Sequence, residues 1–326
     1  MICLAIESTA HTFSAGIVTD KRKVLSNIIS AYTTPKGGIL PAEAADHHAE
    51  VCGDVINKAL QKAELKMKEI DFIAFSQGPG IGQCLRIGAT AAKVLSLKNK
   101  IPMVGVNHCI AHLEIGRALT AAKNPVLLYT SGANTQIISF EGGRYRIMGE
   151  TLDIGVGNML DSFARHIGIG FPGGPKIEES AKKGKNYVEL PYVVKGMDAS
   201  FGGILTNLKH KYDSGKYGKD DLCYSLQETV FAMLVEVAER ALAHCNKDEL
   251  LLGGGVACNK RFQQMCGIMC RERGAKLFVP EKQFLVDNAA MIAWTGILNF
   301  KAGVRTKLSE STIKPYWRSD DVEIVY

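Results

Sequence analysis

One order of elements occurs twice along this chain: hairpin, helix, strand, glycine turn, helix. In the first half, the β-rich runs Ile2–Glu7 and Phe13–Val18 flank Ser8-Thr9-Ala10-His11-Thr12. In the second, Val126–Tyr129 and Gln136–Phe140 flank Thr130-Ser131-Gly132-Ala133-Asn134-Thr135. Small and hydroxyl residues between two apolar runs are a hairpin signal. An amphipathic helix follows in each half. Ala42–Leu65 starts behind Pro41 and gathers Val51, Val55, Ile56 and Leu60 on one face; Gln227–Cys245 does the same with Val230, Phe231, Leu234, Val237 and Leu242. Each helix leads to a strand that runs into glycines. Phe72 to Gly82 precedes an Ala-rich helix to about Lys98, and Leu250 to Asn259 precedes a helix from Lys260. Such a duplication predicts two α/β lobes facing each other across a cleft. At 326 residues the chain is long enough for both, since one core serves roughly 100–150 residues. The lobes are expected at 1–124 and 125–326, with a tail that returns to the first. An insertion from about Glu150 to Asp220, containing Gly170-Phe-Pro-Gly-Gly-Pro175, is expected to form a helix-and-loop cap over the cleft.

Several classes are excluded early. No apolar run reaches the roughly 20 residues that cross a bilayer. Met1–Glu7 has neither the basic start of a signal peptide nor the Arg-rich character of a transit peptide, and reads as a buried strand. The expectation is a cytoplasmic protein with no membrane partner. Nine cysteines, with no C-x-x-C pair, argue for a reducing compartment and against a thiolate zinc ribbon. Cys266 and Cys270, four apart on a helix, read as core residues. A net charge of +6 does not by itself announce a nucleic-acid partner, and the lysines between Lys176 and Lys219 read as a solvated surface.

The two hairpin turns carry the first chemistry. Backbone N–H groups and hydroxyls in such turns suit phosphate oxygens, so Ser8, Thr9, His11 and Thr12 are candidates in one lobe and Thr130 to Ala133 in the other. Gly253-Gly254-Gly255-Val-Ala-Cys-Asn259 supplies a further wall: backbone without side chains lets a flat base approach, and Asn259 offers a donor and an acceptor. Two competing motifs fail. Gly168-Ile-Gly-Phe-Pro-Gly173 spells G-x-G-x-x-G but follows a helical stretch and contains Pro172, and no G-x-x-x-x-G-K-[ST] occurs.

His108 and His112 carry the second. Ile101–Val106 reads as a strand and Asn107 as a helix N-cap, so both imidazoles fall on one helical face and can converge on one metal ion. Tyr129, at the end of a strand, and Asp287, placed to cap a helix from Asn288, are candidate further ligands; two imidazoles, a phenolate and a carboxylate suit iron or zinc. The zincin peptidase motif needs Glu directly after its first histidine, and Cys109 stands there.

With these residues assembled, the chain resembles the TsaD/Gcp/Kae family in its archaeal–eukaryotic branch. The resemblance runs nearly end to end through Ser76-Gln-Gly-Pro-Gly80, Val106-Asn-His108-Cys-Ile-Ala-His112, Tyr129-Thr-Ser-Gly-Ala-Asn134, Glu150-Thr-Leu-Asp-Ile-Gly155, Gly170–Pro175, Gly254-Gly-Val-Ala257 and Asp287-Asn288. It implies the actin-like ATPase fold, two duplicated ribonuclease-H-like lobes around a nucleotide cleft. It also implies transfer of a threonylcarbamoyl group from threonylcarbamoyl-adenylate to N6 of the adenosine 3′ of the anticodon, in tRNAs reading codons that begin with A. By matching position, His108, His112, Tyr129 and Asp287 would hold one iron or zinc ion. Tyr129 to Ala133, Asp161, Gly174, Glu178 and Asn259 would hold ATP, ADP or the adenylate.

The implied partners are tRNA and the subunits of the KEOPS complex, a kinase-like ATPase and a dimerising subunit, with Ala42–Leu65 as a docking face. In some archaeal members that kinase is fused after this domain. His48 is a candidate general base, set against the plainer reading of a helix histidine. Where the family has Ser-Gly-Gly-Asn, this chain has Ser131-Gly-Ala133-Asn134; a left-handed backbone at Ala133 would shift the turn. The first turn lacks the Asp that many relatives on this fold carry, which weakens ATP hydrolysis but not acyl transfer. The rival readings are a small-molecule kinase or ATPase of the same fold, which needs no histidine pair, and a non-enzymatic nucleic-acid-binding module.

Overall fold

The computed structural model describes residues 1–34 and 38–326. In its first sheet, β1 (Ile2–Glu7), β2 (Thr12–Thr19) and β3 (Val24–Ala31) form an antiparallel meander, and β4 (Phe72–Gly78) and β5 (Met103–Asn107) continue it in parallel. The order is β3-β2-β1-β4-β5. The second sheet repeats the plan. β6 (Val126–Thr130), β7 (Thr135–Glu141) and β8 (Arg144–Glu150) form the meander. Beyond a short pair in the insertion, β9 (Val194–Lys195) and β10 (Asp198–Ala199), β11 (Glu249–Gly253) and β12 (Lys276–Phe278) join in parallel. Read from β8 to β12 the order is β8-β7-β6-β11-β12, the same as in the first sheet. The duplication expected from the sequence is therefore present, with a third meander strand in each half that the hairpin reading had not included.

The helices follow their sequence signals closely. α1 (Pro41–Ala63) has proline in its first turn, and α2 (Gly82–Asn99) follows the first glycine turn. α3 (His108–Leu119) is capped by Asn107, whose Oδ1 accepts from the N–H groups of Cys109 and Ile110. In the insertion lie α4 (Val156–His166), α5 (Gly173–Ala181) and α6 (Gly202–Asp213), packed into one core with α7 (Lys219–His244). α7 begins at Lys219 rather than Gln227, because Asp220 and Asp221 complement the positive end of the helix in its first turn. After β11 come a short 3-10 turn, Gly255–Cys258, and α8 (Lys260–Arg273), which buries Cys266 and Cys270 as expected. α9 (Lys282–Leu285) and α10 (Ala289–Lys301) complete the helices.

Two helices cross between the halves. α3 follows the first sheet but buries Cys109, Ile110 and Leu113 against Leu127, Tyr129 and Leu251 of the second. α10 follows the second sheet but buries Ala289, Met291 and Ala293 against Cys3, Phe72 and Ala74 of the first. Each crossing helix carries a glycine at its closest approach. A Cβ on Gly116 would stand 2.5 Å from Leu251 Cδ2, and one on Gly296 would stand 2.6 Å from Ala74 Cβ. Both crossings bring helix N-termini to the strand ends, where the histidines and Asp287 sit.

Residues 305–326 run back over both sheets: the Lys314 N–H donates to Gln77 O, the Gly80 N–H to Pro315 O, and Arg318 pairs with Glu150 at 3.3 Å. The insertion meets the first hairpin where Phe171 packs edge-on against His11, 5.4 Å between ring centres.

Candidate metal centre and nucleotide loops

His108 and His112 lie on the buried face of α3, and their ring centres are 4.8 Å apart. His108 Nε2 is 3.1 Å from the Tyr129 hydroxyl and 3.3 Å from Asp287 Oδ1, and His112 Nε2 is 3.4 Å from the same Oδ1. Tyr129, the next-to-last residue of β6, has its ring 4.9 Å from that of His112. The ligand atoms of His108, His112 and Asp287 all fall within 4.8 Å of one another. The structure brings together all four residues singled out from the sequence, from three separate stretches of chain. Asp287 is placed differently from the expectation, however. Asn288 caps α10, accepting from the Met291 N–H, and this leaves the Asp287 carboxylate free to face the imidazoles.

The electrostatics fit a cation. Burial alone pushes His108 down, but the Tyr129 phenol, Glu7 and Asp287 together hold it well above the ordinary imidazole range. Burial pushes Asp287 up, and His108 and His112 outweigh it and hold the carboxyl well below its usual range. Burial lowers His112 and raises Tyr129. The cluster favours positive charge at its centre. Two imidazoles, a carboxylate and a phenol are a donor set for zinc or iron.

The two hairpin turns have diverged. In the first, the Ser8 N–H donates to Ser76 Oγ, and the Thr9 N–H and hydroxyl both donate to Glu7 Oε1. Ser8, Thr9 and Thr12 are buried, and the turn is partly open at Ala10 and His11. The expectation that this turn offers its donors to phosphate fails at Ser8 and Thr9, because neighbouring side chains already use them. In the second turn the Ser131 N–H closes on Asn134 O, while Gly132 and Ala133 are exposed and their N–H groups have no partner among the described residues. Glycines fix this turn from below. A Cβ on Gly155 would meet Gly132 O at 2.3 Å, and one on Gly254, at φ 90°, would meet Thr130 O at 2.3 Å. Ala133 is not among the residues with positive φ, so its methyl costs the turn nothing.

The other expected nucleotide residues line the second lobe. Asp161 Oδ1 accepts from the Gly173 N–H at 2.7 Å, and burial raises its carboxyl. Gly174 and Gly255 face open space. Glu178 accepts from the Lys260 N–H at 2.9 Å. Asn259 is committed locally: Oδ1 caps α8 and Nδ2 donates to Gln227. It therefore shapes the loop rather than offering both groups to a base. His48 is fully buried on α1, edge-on to Phe13 at 5.5 Å, which is the position of a core histidine and not of a base in reach of substrate. Glu7 is the residue that local sequence reading passed over. It is wholly buried, and Oε2 accepts from His108 Nδ1 at 3.0 Å.

The fold and site together define an actin-like α/β protein with an open hairpin turn set beside a largely buried donor cluster. The Clostridium difficile activator of 2-hydroxyisocaproyl-CoA dehydratase with bound ADPNP shares this fold, with a TM-score of 0.55 over 93% of this chain and 96% of that one at 12% identity. The model of the family described as TsaD, tRNA N6-adenosine threonylcarbamoyltransferase, matches residues 23–294, and the chain belongs to that family. The tRNA N6-adenosine threonylcarbamoyltransferase of Thermococcus kodakarensis is 56% identical over 326 residues, covering 100% of both chains. A probable bifunctional tRNA threonylcarbamoyladenosine biosynthesis protein of Methanosarcina mazei is 53% identical over 99% of this chain and 59% of its own length.

Proposed function

We propose that this protein transfers the threonylcarbamoyl group of threonylcarbamoyl-adenylate to N6 of the adenosine 3′ of the anticodon, in tRNAs that read codons beginning with A, and releases AMP. The observation that carries the reading is the convergence of His108, His112, Tyr129 and Asp287 beside a turn whose exposed N–H groups are unspent. A small-molecule kinase would need the turn but not the donors, and the family match supports the transferase.

In the reaction the N6 lone pair forms the new C–N bond at the carbamoyl carbon. The C–O bond to the phosphate breaks, its electron pair leaves on AMP, and the proton lost from N6 passes to solvent. The Gly132 and Ala133 N–H groups would hold the phosphate oxygens and stabilise the charge that grows on them as AMP departs. Asp161, Gly174 and Glu178 would seat the nucleoside, with Gly254 and Gly255 forming the wall beside it. His108, His112, Tyr129 and Asp287 would hold one zinc or iron ion, which when bound supplies Lewis acidity and a template for oxygen ligands. Burial of His108, His112 and Tyr129 would keep bulk water from that end of the cleft.

The lobes are assigned to 1–124 and 125–326. A cytoplasmic setting is part of the same proposal, since the acceptor is tRNA; separately, no helix among the described residues is long and apolar enough to cross a membrane. KEOPS-type partners, a kinase-like ATPase and a dimerising subunit, would dock on the first lobe, with the exposed face of α1 one such surface.

The test supplies purified protein, those partner subunits, tRNA and threonylcarbamoyl-adenylate, and measures modified adenosine by mass spectrometry. Wild type should give product and His112→Ala should not. Product from the mutant would remove the donor cluster from the chemistry, and no product from wild type would remove the transferase reading.

A further inference from the structure

We propose that Glu7, steadied by Thr9, is a positioning residue of the metal centre. It keeps His108 protonated on Nδ1, so that the Nε2 lone pair faces Tyr129 and Asp287. This rests on the metal reading above and gives the first hairpin turn a different task from the second.

A buried carboxylate is expensive to leave unpaired, and Glu7 is wholly buried at the end of β1. Both of its oxygens are engaged. Oε1 accepts from the Thr9 N–H at 2.6 Å and from the Thr9 hydroxyl at 2.5 Å, and Oε2 lies 3.0 Å from His108 Nδ1. Thr9 Oγ1 is itself 3.2 Å from that nitrogen. A neutral imidazole has one N–H, and an acceptor-only carboxylate at Nδ1 draws it there. Nε2 is then left to coordinate, and it is the nitrogen that faces Tyr129 and Asp287 at 3.1 and 3.3 Å. His112 has no such partner: its Nδ1 is buried with no hydrogen bond among the described residues. The orienting device is specific to His108. In the duplicated plan, the second turn keeps its Gly132 and Ala133 N–H groups for a ligand, and the first spends its Thr9 N–H and hydroxyl on the carboxylate that aims a ligating histidine.

The experiment measures Zn²⁺ affinity of the full-length, metal-stripped protein by chelator competition, for wild type, Glu7→Gln, Thr9→Val and His112→Ala. Outer carboxylate partners of ligating histidines are worth roughly 10–100-fold in metal affinity, and that loss is expected for Glu7→Gln, with a smaller loss for Thr9→Val. In the Zn²⁺-loaded protein, ¹⁵N imidazole shifts should change for His108 Nδ1 in Glu7→Gln and stay unchanged for His112, a pattern that general loosening of the fold would not give. Wild-type affinity in Glu7→Gln together with loss in His112→Ala would overturn the proposal and leave the metal reading standing. Wild-type affinity in His112→Ala would overturn both. If Glu7→Gln does not fold, Thr9→Val decides: unchanged affinity and an unchanged His108 signal would overturn the proposal.

Discussion

His112 Nε2 and Asp287 Oδ1 lie 3.4 Å apart although 175 positions of sequence separate them. The contact exists because α3 and α10 cross between the two sheets and present their N-terminal ends to the same strand ends. Removing the carboxylate takes away the one oxygen that both imidazoles share. Asp287→Ala should lower metal affinity by more than about 100-fold and abolish modified adenosine. Metal content after gel filtration, read beside the tRNA assay, checks both outcomes.

The crossing glycines should differ in their tolerance. A methyl on Gly116 meets the far end of Leu251, which can swing aside; a methyl on Gly296 meets Ala74 Cβ, which cannot move without its strand. Gly296→Ala should therefore cost about 1–3 kcal/mol. Both variants gain the roughly 1 kcal/mol that alanine has over glycine inside a helix, so Gly116→Ala, with the softer neighbour, should come closer to neutral. Calorimetric unfolding of the two variants should rank them in that order.

Gly254 holds a backbone angle of φ 90° with no room for a side chain above Thr130 O. Gly254→Ala should push the second hairpin turn away from its present place. Nucleotide binding should fall by roughly 10–100-fold, the scale of a misplaced contact near 1 Å, while the Zn²⁺ affinity changes little. Titration calorimetry with each ligand separates the two effects.

His48 gives the protein an acid-side weakness. Burial, with neighbouring His47 adding to it, pushes the pKa down to about 4 from the ordinary 6.5. The native state keeps this ring neutral while the unfolded chain takes up a proton below 6.5, so its contribution is complete above that pH. As the pH falls from about 6.5 to about 4, this group alone should remove about 3 kcal/mol of stability. His48→Gln should flatten the fall of the unfolding temperature across that window, and a slope as steep as the wild type's would contradict the assignment.

Much of this fold was legible because its signals are local. Hairpin turns, the Pro41 helix start, the glycine turns after β4 and β11, and the Asn107 cap each declare themselves within a few residues. The histidine pair was legible for the same reason, since spacing alone puts both rings on one helical face. β3 and β8 carry weaker signals: their alternation is diluted by residues such as Asn27 and Arg146, which an outer meander strand tolerates. The role of Glu7 left no local trace, because its partner His108 stands 101 positions away. For Asn259 and the first hairpin turn, sequence shows which groups a residue owns, and only the fold shows which of them neighbours have already claimed.

The exchange of α3 and α10 also bears on how the chain can be divided. A fragment of residues 1–124 would keep β1, β2 and β4 but lose the helix that covers them, leaving Phe72 and Ala74 bare. It would carry α3 with no second sheet to receive Cys109 and Leu113. Neither half is self-sufficient, so despite its duplicated architecture the chain should melt in a single cooperative transition, and separately expressed halves should gain structure only when mixed.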